Sequence, residues 1–163
     1  MADENERMKG LDEAIRFETD GREFFLNAAE KSRNPFSKTI FQMIAEEELD
    51  HIQKIKQFYG SYSVSKKEEI PPVIEKKNDL QNVFEQAKEQ MDPNVVANAD
   101  EMEAIRLAIQ LEIRGHEFYD RLAKEATADF EKVFYQHLAQ AEDIHFSILR
   151  QMEEAVMSPK TFG

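Results

Sequence analysis

Apolar residues recur at three- and four-residue intervals through four long stretches of the chain, the spacing of one helix face. The first runs from about residue 6 to 32, with Leu11, Ala14, Ile15, Phe24, Phe25 and Ala28 in line. The second runs from 35 to 59 through Phe36, Ile40, Ile44, Ile52, Ile55 and Phe58, with Asn34 as its cap, Pro35 at its first position and Gly60 as its stop. The third covers 98–126 through Met102, Ile105, Ala108, Ile109, Tyr119 and Leu122, and Asn98 and Glu101 have capping-box spacing. The fourth covers 128–157 through Phe130, Phe134, Leu138, Ala141, Leu149 and Met152, with Thr127 as its expected cap and Asp129 and Glu131 placed to suit its dipole.

Residues 61–97 lack such a stripe and read as a long crossover. Ser65 and Glu68 have capping-box spacing, Pro71-Pro72 halts any helix, and a short amphipathic helix is predicted over 79–90, capped by Asn78 and ended at Met91-Asp92-Pro93. The tail MSPKTFG carries no pattern. A shift of 94 residues lays 14–51 on 108–145 without a gap, and thirteen of the 38 pairs are identical. A duplicated helix pair joined by a crossover predicts an all-α, four-helix bundle with one long connection, filling 1–163 as a single domain.

Six ionisable residues interrupt the apolar stripes: Glu18, Glu48, His51, Glu112, Glu142 and His145. The repeat relates them as Glu18/Glu112, Glu48/Glu142 and His51/His145. Each pair Glu48-x-x-His51 and Glu142-x-x-His145 points to one side of its helix. Ionised carboxylates do not enter a core uncompensated, because desolvation costs several kcal/mol each. No Lys or Arg shares their level in the stripes. Four carboxylates balance two divalent cations, each cation taking one His and one terminal Glu (Glu18 or Glu112), with Glu48 and Glu142 as bridges. The mixed oxygen and nitrogen set suits Fe(II) or Mn(II) better than Ca(II). The competing reading puts these Glu at the solvent edge of the stripes in ordinary ion pairs.

Composition narrows the rest. The chain has 21 Lys+Arg against 33 Asp+Glu, a formal net charge of -12 and a pI near 4.8, which disfavours nucleic acid and anionic membranes as partners. It contains no cysteine, so disulfides, thiolate nucleophiles and Cys-ligated metals are excluded within it. MADENERMKG has no apolar core of a signal peptide, and no run approaches the ~20 apolar residues of a membrane span, so a cytoplasmic location is expected.

The order Glu, ExxH, crossover, Glu, ExxH resembles the ferritin-like diiron-carboxylate superfamily. The internal repeat and the EEELDH stretch (46–51) are most similar to the rubrerythrin branch, over about residues 8–155. The resemblance implies a ferritin-like bundle and two iron ions, manganese being possible, with an oxo or hydroxo bridge, held by the six residues above. It also implies reduction of hydrogen peroxide or dioxygen as the small-molecule oxidant, and a homodimer. Family members often carry a further carboxylate three residues after the third-helix Glu, where this chain has Gly115, and a four-cysteine rubredoxin domain, for which it has no cysteines. Electrons are therefore expected from a separate donor protein.

Other residues carry weaker expectations. Tyr119, two turns after Glu112, is a candidate to hydrogen-bond a ligand or pass an electron; Phe25 holds its place in the first half. Glu47 is a candidate partner for a ligand histidine on a neighbouring helix. Gly21 and Gly115 leave room either for access to the site or for close helix crossing. Asp50 and Asp143 adjoin the histidines, Tyr59 reads as bundle-end core, His116 as surface or near-site, and His137 as a boundary residue. Besides oxidant reduction, the pattern allows a ferroxidase or iron-handling protein, or a non-enzymatic helical interaction protein. It leaves open whether the crossover is a lid or an exchanged segment.

Overall fold

The computed structural model describes residues 4–63, 76–92, 94 and 97–157. Five helices are found there: α1 (Glu4–Lys31), α2 (Pro35–Ser63), α3 (Lys77–Glu89), α4 (Ala99–Glu125) and α5 (Asp129–Met157). No strand occurs among the described residues, so the architecture is all-α. The Ser65/Glu68 pair, Pro71-Pro72, Pro93 and the tail from 158 lie outside the described residues.

α1 packs along α2 and α4 along α5 as two hairpins, and the hairpins meet through α1 against α4 and α2 against α5. Contacts fix the directions. Along the α1/α4 pair, Gly10 lies by Leu122, Gly21 by Leu111 and Asn34 by Glu101, so the two helices run antiparallel. Phe58 stacks on Phe134 while Glu47 lies by His145, so α2 and α5 are antiparallel as well. It follows that α2 and α4 point the same way. The chain must climb the length of the bundle between them, which is why the connection is long. On that climb α3 packs on α2 and α5 through Leu80 and Phe84, the latter edge-on to Phe36.

Local chemistry sets most helix ends. Asn34 Oδ1 accepts from Ser37 N at 2.7 Å, starting α2, and Asn98 Oδ1 accepts from Glu101 N at 2.9 Å, starting α4. The reciprocal half of the expected capping box is replaced. The Glu101 carboxylate instead accepts from Arg33 N (3.0 Å) and Asn34 Nδ2 (2.9 Å), tying the α1–α2 turn to the start of α4. Three other expectations need correction. α2 runs through the exposed Gly60 to Ser63, since one glycine costs a helix only about 1 kcal/mol. α3 starts at Lys77 with Lys76 in the cap position, two residues ahead of the expected cap Asn78, and Lys76 makes no side-chain cap bond. Thr127 precedes Ala128, the residue flanking α5, and its hydroxyl accepts from Arg7 Nη2 at 2.7 Å.

The core divides into two apolar clusters. One gathers Phe25, Ile40, Phe41, Ile44, Phe84, Ile105, Ile148 and Leu149; the other gathers Leu11, Ile55, Phe58, Tyr119, Phe134, Tyr135 and Leu138. Each fully buried Phe or Leu stabilises by about 1.5–3 kcal/mol. Between the two clusters, at mid-height, lies a belt of ionisable side chains. No described helix is long and apolar enough to cross a membrane.

Candidate metal centre

Helix arithmetic brings the belt together. Glu18 stands 15 residues before Arg33 in the first turn, and Glu48 stands 15 after it; Glu112 and Glu142 stand likewise about Thr127. At 1.5 Å per residue each lies about 22 Å from its turn, and since the two turns cap opposite ends of helices about 40 Å long, all four carboxylates meet near mid-height. None of Glu18, Glu48, His51, Glu112, Glu142 and His145 is more than 2 % exposed. The solvent-edge reading therefore fails: these side chains point into the bundle.

Their polar atoms form two overlapping groups. Glu18, Glu48, His51 and Glu142 each offer an atom within 4.8 Å of the others, as do Glu48, Glu112, Glu142 and His145. Glu48 and Glu142 belong to both. His51 Nδ1 lies 3.3 Å from Glu18 Oε1 and 4.0 Å from Glu142 Oε1. His145 Nδ1 lies 3.6 Å from both Glu48 Oε1 and Glu112 Oε2. The imidazoles are near-parallel, 5.7 Å between centroids and 17° apart in plane.

The belt is not closed by its own hydrogen bonds. Glu18 Oε2, both Glu112 oxygens, Glu142 Oε1, Nδ1 of both histidines and Nε2 of His145 are buried with no hydrogen-bond partner. Buried polar atoms are otherwise nearly always satisfied, and an orphan of this kind asks for an ion or water. Protons bear part of the load in the metal-free protein. Burial, with Glu112 and Glu18 alongside, pushes the Glu142 carboxyl well above its ordinary range. For His145, burial works against the charged form, but Glu112 and Glu47 outweigh it and raise the imidazole to about 10. Two divalent cations fit this donor set in charge and in kind: four carboxylates, two imidazoles and unsatisfied lone pairs facing inward.

Tyr119 is fully buried, and its hydroxyl donates to Glu18 Oε1 at 2.7 Å. Its partner is thus one of the six belt residues, a carboxylate on α1. Burial first, then the charges of Glu18 and Glu142, hold the phenol protonated. Because Tyr119 engages Oε1, the orphaned Oε2 of Glu18 remains free to face a cation. Phe25, at the repeat-equivalent position, is plain core.

The two glycines differ. A Cβ on Gly21 would meet Glu48 and Leu111 at 3.7–3.8 Å, ordinary contact. A Cβ on Gly115 would meet the Glu142 carboxylate and the Phe17 ring at 3.0–3.1 Å. At Gly115 the missing side chain is thus used by a close approach of Glu142. Phe17 stacks on Phe118 at 5.5 Å beside it, with the Arg121 guanidinium 5.4 Å above the Phe118 ring.

Glu47 is buried; its Oε1 lies 3.7 Å from His145 Nε2 and its Oε2 3.0 Å from Lys76 Nζ. Burial opposes its charge, but His145 and Lys76 prevail and lower its carboxyl to about 2. Lys76 comes from the crossover, where no periodicity marks it, and sequence reasoning missed it. Asp50 lies 3.9 Å from the same Lys76. His116 pairs with Asp143 at 2.9 Å on the flank of α4 and α5, away from the belt. His137 and Tyr59 are half-buried. Two further buried acids lie outside the centre: Glu101 at the α1–α2 turn, and Glu131, 3.1 Å from Arg7 at the opposite end.

Neither the curated proteins nor the solved structures compared with the chain give a match. A family model described as Rubrerythrin matches residues 9–153, a span that contains the whole belt and most of both hairpins. The chain belongs to the rubrerythrin family, within the ferritin-like superfamily.

Proposed function

We propose that the protein is a dinuclear metal oxidoreductase, with iron as its metal, that reduces hydrogen peroxide or dioxygen using electrons from a separate donor protein. The carrying observation is the buried belt of two overlapping Glu/His groups whose inward atoms lack partners. Glu18 and His51 would hold one cation, Glu112 and His145 the other, and Glu48 and Glu142 would be shared. A reduced iron pair held there would supply the two electrons that, with two protons, convert hydrogen peroxide to two waters.

The chain's own residues do the rest. The carboxylates fix charge balance, which keeps a pair of cations in a core that would otherwise reject either partner alone. Tyr119 holds a proton on its hydroxyl, 2.7 Å from Glu18 Oε1, at the edge of the centre. Phe17, stacked on Phe118 beside Gly115, and Leu111 beside Gly21 put apolar surface next to the belt, which limits water and favours a small, neutral oxidant. With no cysteine in its 163 residues, the chain carries no thiolate-held iron of its own, which supports an external donor. A cytoplasmic homodimer is part of the same reading.

Stopped-flow mixing of the reduced, iron-loaded protein with H2O2 and, separately, with O2 tests it. Oxidation is expected to be faster with peroxide. Oxidation no faster than with oxygen sinks the peroxide version and favours the ferroxidase alternative.

A further inference from the structure

The internal repeat superposes the ligand residues but not their surroundings. Glu47 of the first half corresponds to Ala141 of the second. Glu47 lies on the first helix pair and faces the histidine of the second, so His145 is the histidine that gains from this difference. His145 presents Nδ1 to Glu48 and Glu112, and its other nitrogen, Nε2, faces Glu47 Oε1 at 3.7 Å, an ion-pair distance that a small ring rotation on metal binding would close to a hydrogen bond. The second Glu47 oxygen is held by Lys76 Nζ at 3.0 Å, so the carboxylate is pinned from the crossover side. His51 presents Nδ1 to Glu18 and Glu142. The repeat position that would supply its anionic partner is the methyl group of Ala141.

From this juxtaposition we infer that the two cation positions are unequal: the Glu112/His145 position binds a divalent metal more tightly than the Glu18/His51 position, with Glu47 as a positioning residue and Lys76 as its anchor. The inference rests on the metal-centre reading above. The physics is that of a carboxylate behind a ligating imidazole. A cation on Nδ1 requires the ring proton on Nε2. A fixed anion facing Nε2 selects that tautomer, sets the ring plane and raises the donor strength of Nδ1. Loss of such a partner lowers metal affinity by about 10–100-fold. Ala141 cannot provide it, so the duplicated sites differ by a factor of that order.

Anaerobic titration of the metal-free full-length chain with Fe(II), followed by calorimetry, tests this, with Co(II) absorption as an independent reading of coordination. Two steps are expected in the wild type. Glu47→Gln should weaken the tighter step by about 10–100-fold and leave the weaker one in place. Lys76→Gln, which keeps Glu47 but frees it, should weaken the same step less. Ala141→Glu, which installs the missing carboxylate on a half-buried position, should strengthen the weaker step. Glu112→Ala and Glu18→Ala assign the steps, the first abolishing the tighter and the second the weaker. Circular dichroism of each metal-free variant checks folding; should Glu47→Gln unfold, Lys76→Gln and Ala141→Glu decide the matter. Equal weakening of both steps, or no change in their ratio in any variant, overturns the inequality. A wild-type chain that takes up no iron pair overturns the metal centre itself.

Discussion

Alanine at Gly21 and alanine at Gly115 form a matched pair of perturbations, because the repeat makes the two positions equivalent while the packing makes them opposite. Both substitutions remove a mid-helix glycine, which on its own stabilises by about 0.5–1 kcal/mol. At Gly21 the new methyl would rest 3.7 Å from Glu48 Oε2 and 3.8 Å from Leu111, so the helix gain is kept. At Gly115 it would sit 3.0 Å from both Glu142 Oε2 and the Phe17 ring. Glu142 is confined among Glu18, Glu112 and His51 and has little room to retreat. Overpacking costs about 1–3 kcal/mol, and with Glu142 unable to retreat the upper part of that range applies, so that subtracting the helix gain leaves a net loss of about 1–2 kcal/mol. For a chain of this length 1 kcal/mol moves the melting temperature by about 2–4 °C. Metal-free Gly21→Ala should therefore melt about 1–4 °C higher than wild type, and Gly115→Ala about 2–8 °C lower. Thermal unfolding followed by circular dichroism reads both, and iron content after anaerobic loading should fall in Gly115→Ala alone. A Gly115→Ala protein that gains stability as Gly21→Ala does would refute the placement of the Glu142 carboxylate against α4.

Three other outcomes follow from the same geometry. Tyr119→Phe removes the hydroxyl that donates to the buried Glu18, a bond to a charged acceptor worth about 1.5–3 kcal/mol, and urea unfolding of the metal-free protein should show a loss of that size; an unchanged midpoint would contradict the bond. Raising pH should destabilise the metal-free protein: the His145 imidazole, lifted to about 10 in the fold, gives its full contribution below about 6.5 and loses it as pH climbs to 10, and Glu142, raised from its ordinary 4.5, acts in the same direction. Iron loading replaces those protons with cations, so scanning fluorimetry from pH 6.5 to 10 should show a falling melting temperature without metal and a flatter one with it; a rise in the metal-free protein would contradict the account. Asn34→Ala removes both the cap on Ser37 N and the clasp on Glu101, and chemical unfolding should show about 1–3 kcal/mol of lost stability; a loss under 0.5 would mean the clasp is not made.

Much of the centre was legible because its residues violate a strong pattern. A Glu or His in a 3.6-period apolar stripe stands out, and a second copy 94 residues later shows where its partners lie. The i,i+3 spacing and the symmetric placement about the two turns then fix direction and height from sequence. What stayed hidden depends on neighbours far along the chain. The Tyr119–Glu18 bond spans 101 residues and joins two helices whose mutual rotation no local signal gives. Lys76 sits in the crossover, whose path over α2 is set by Leu80 and Phe84 packing rather than by its own periodicity. Glu101 reads as a capping-box partner and Glu131 as a first-turn dipole partner, yet both are buried in tertiary bonds that local spacing does not encode. Gly60 misled because its position is exposed, where the modest cost of glycine is the only force against a continuing helix.

On the proposed reading, six buried side chains from four helices enclose a pair of cations. Anomalous diffraction at the iron edge, on crystals of protein loaded anaerobically with Fe(II), tests it most directly. Two peaks about 3.5–4 Å apart, a separation usual for paired metals, are expected between Glu18/His51 and Glu112/His145, with Glu48 and Glu142 reaching both. Iron found only on the acidic surface, or no iron in the bundle interior, would contradict the account.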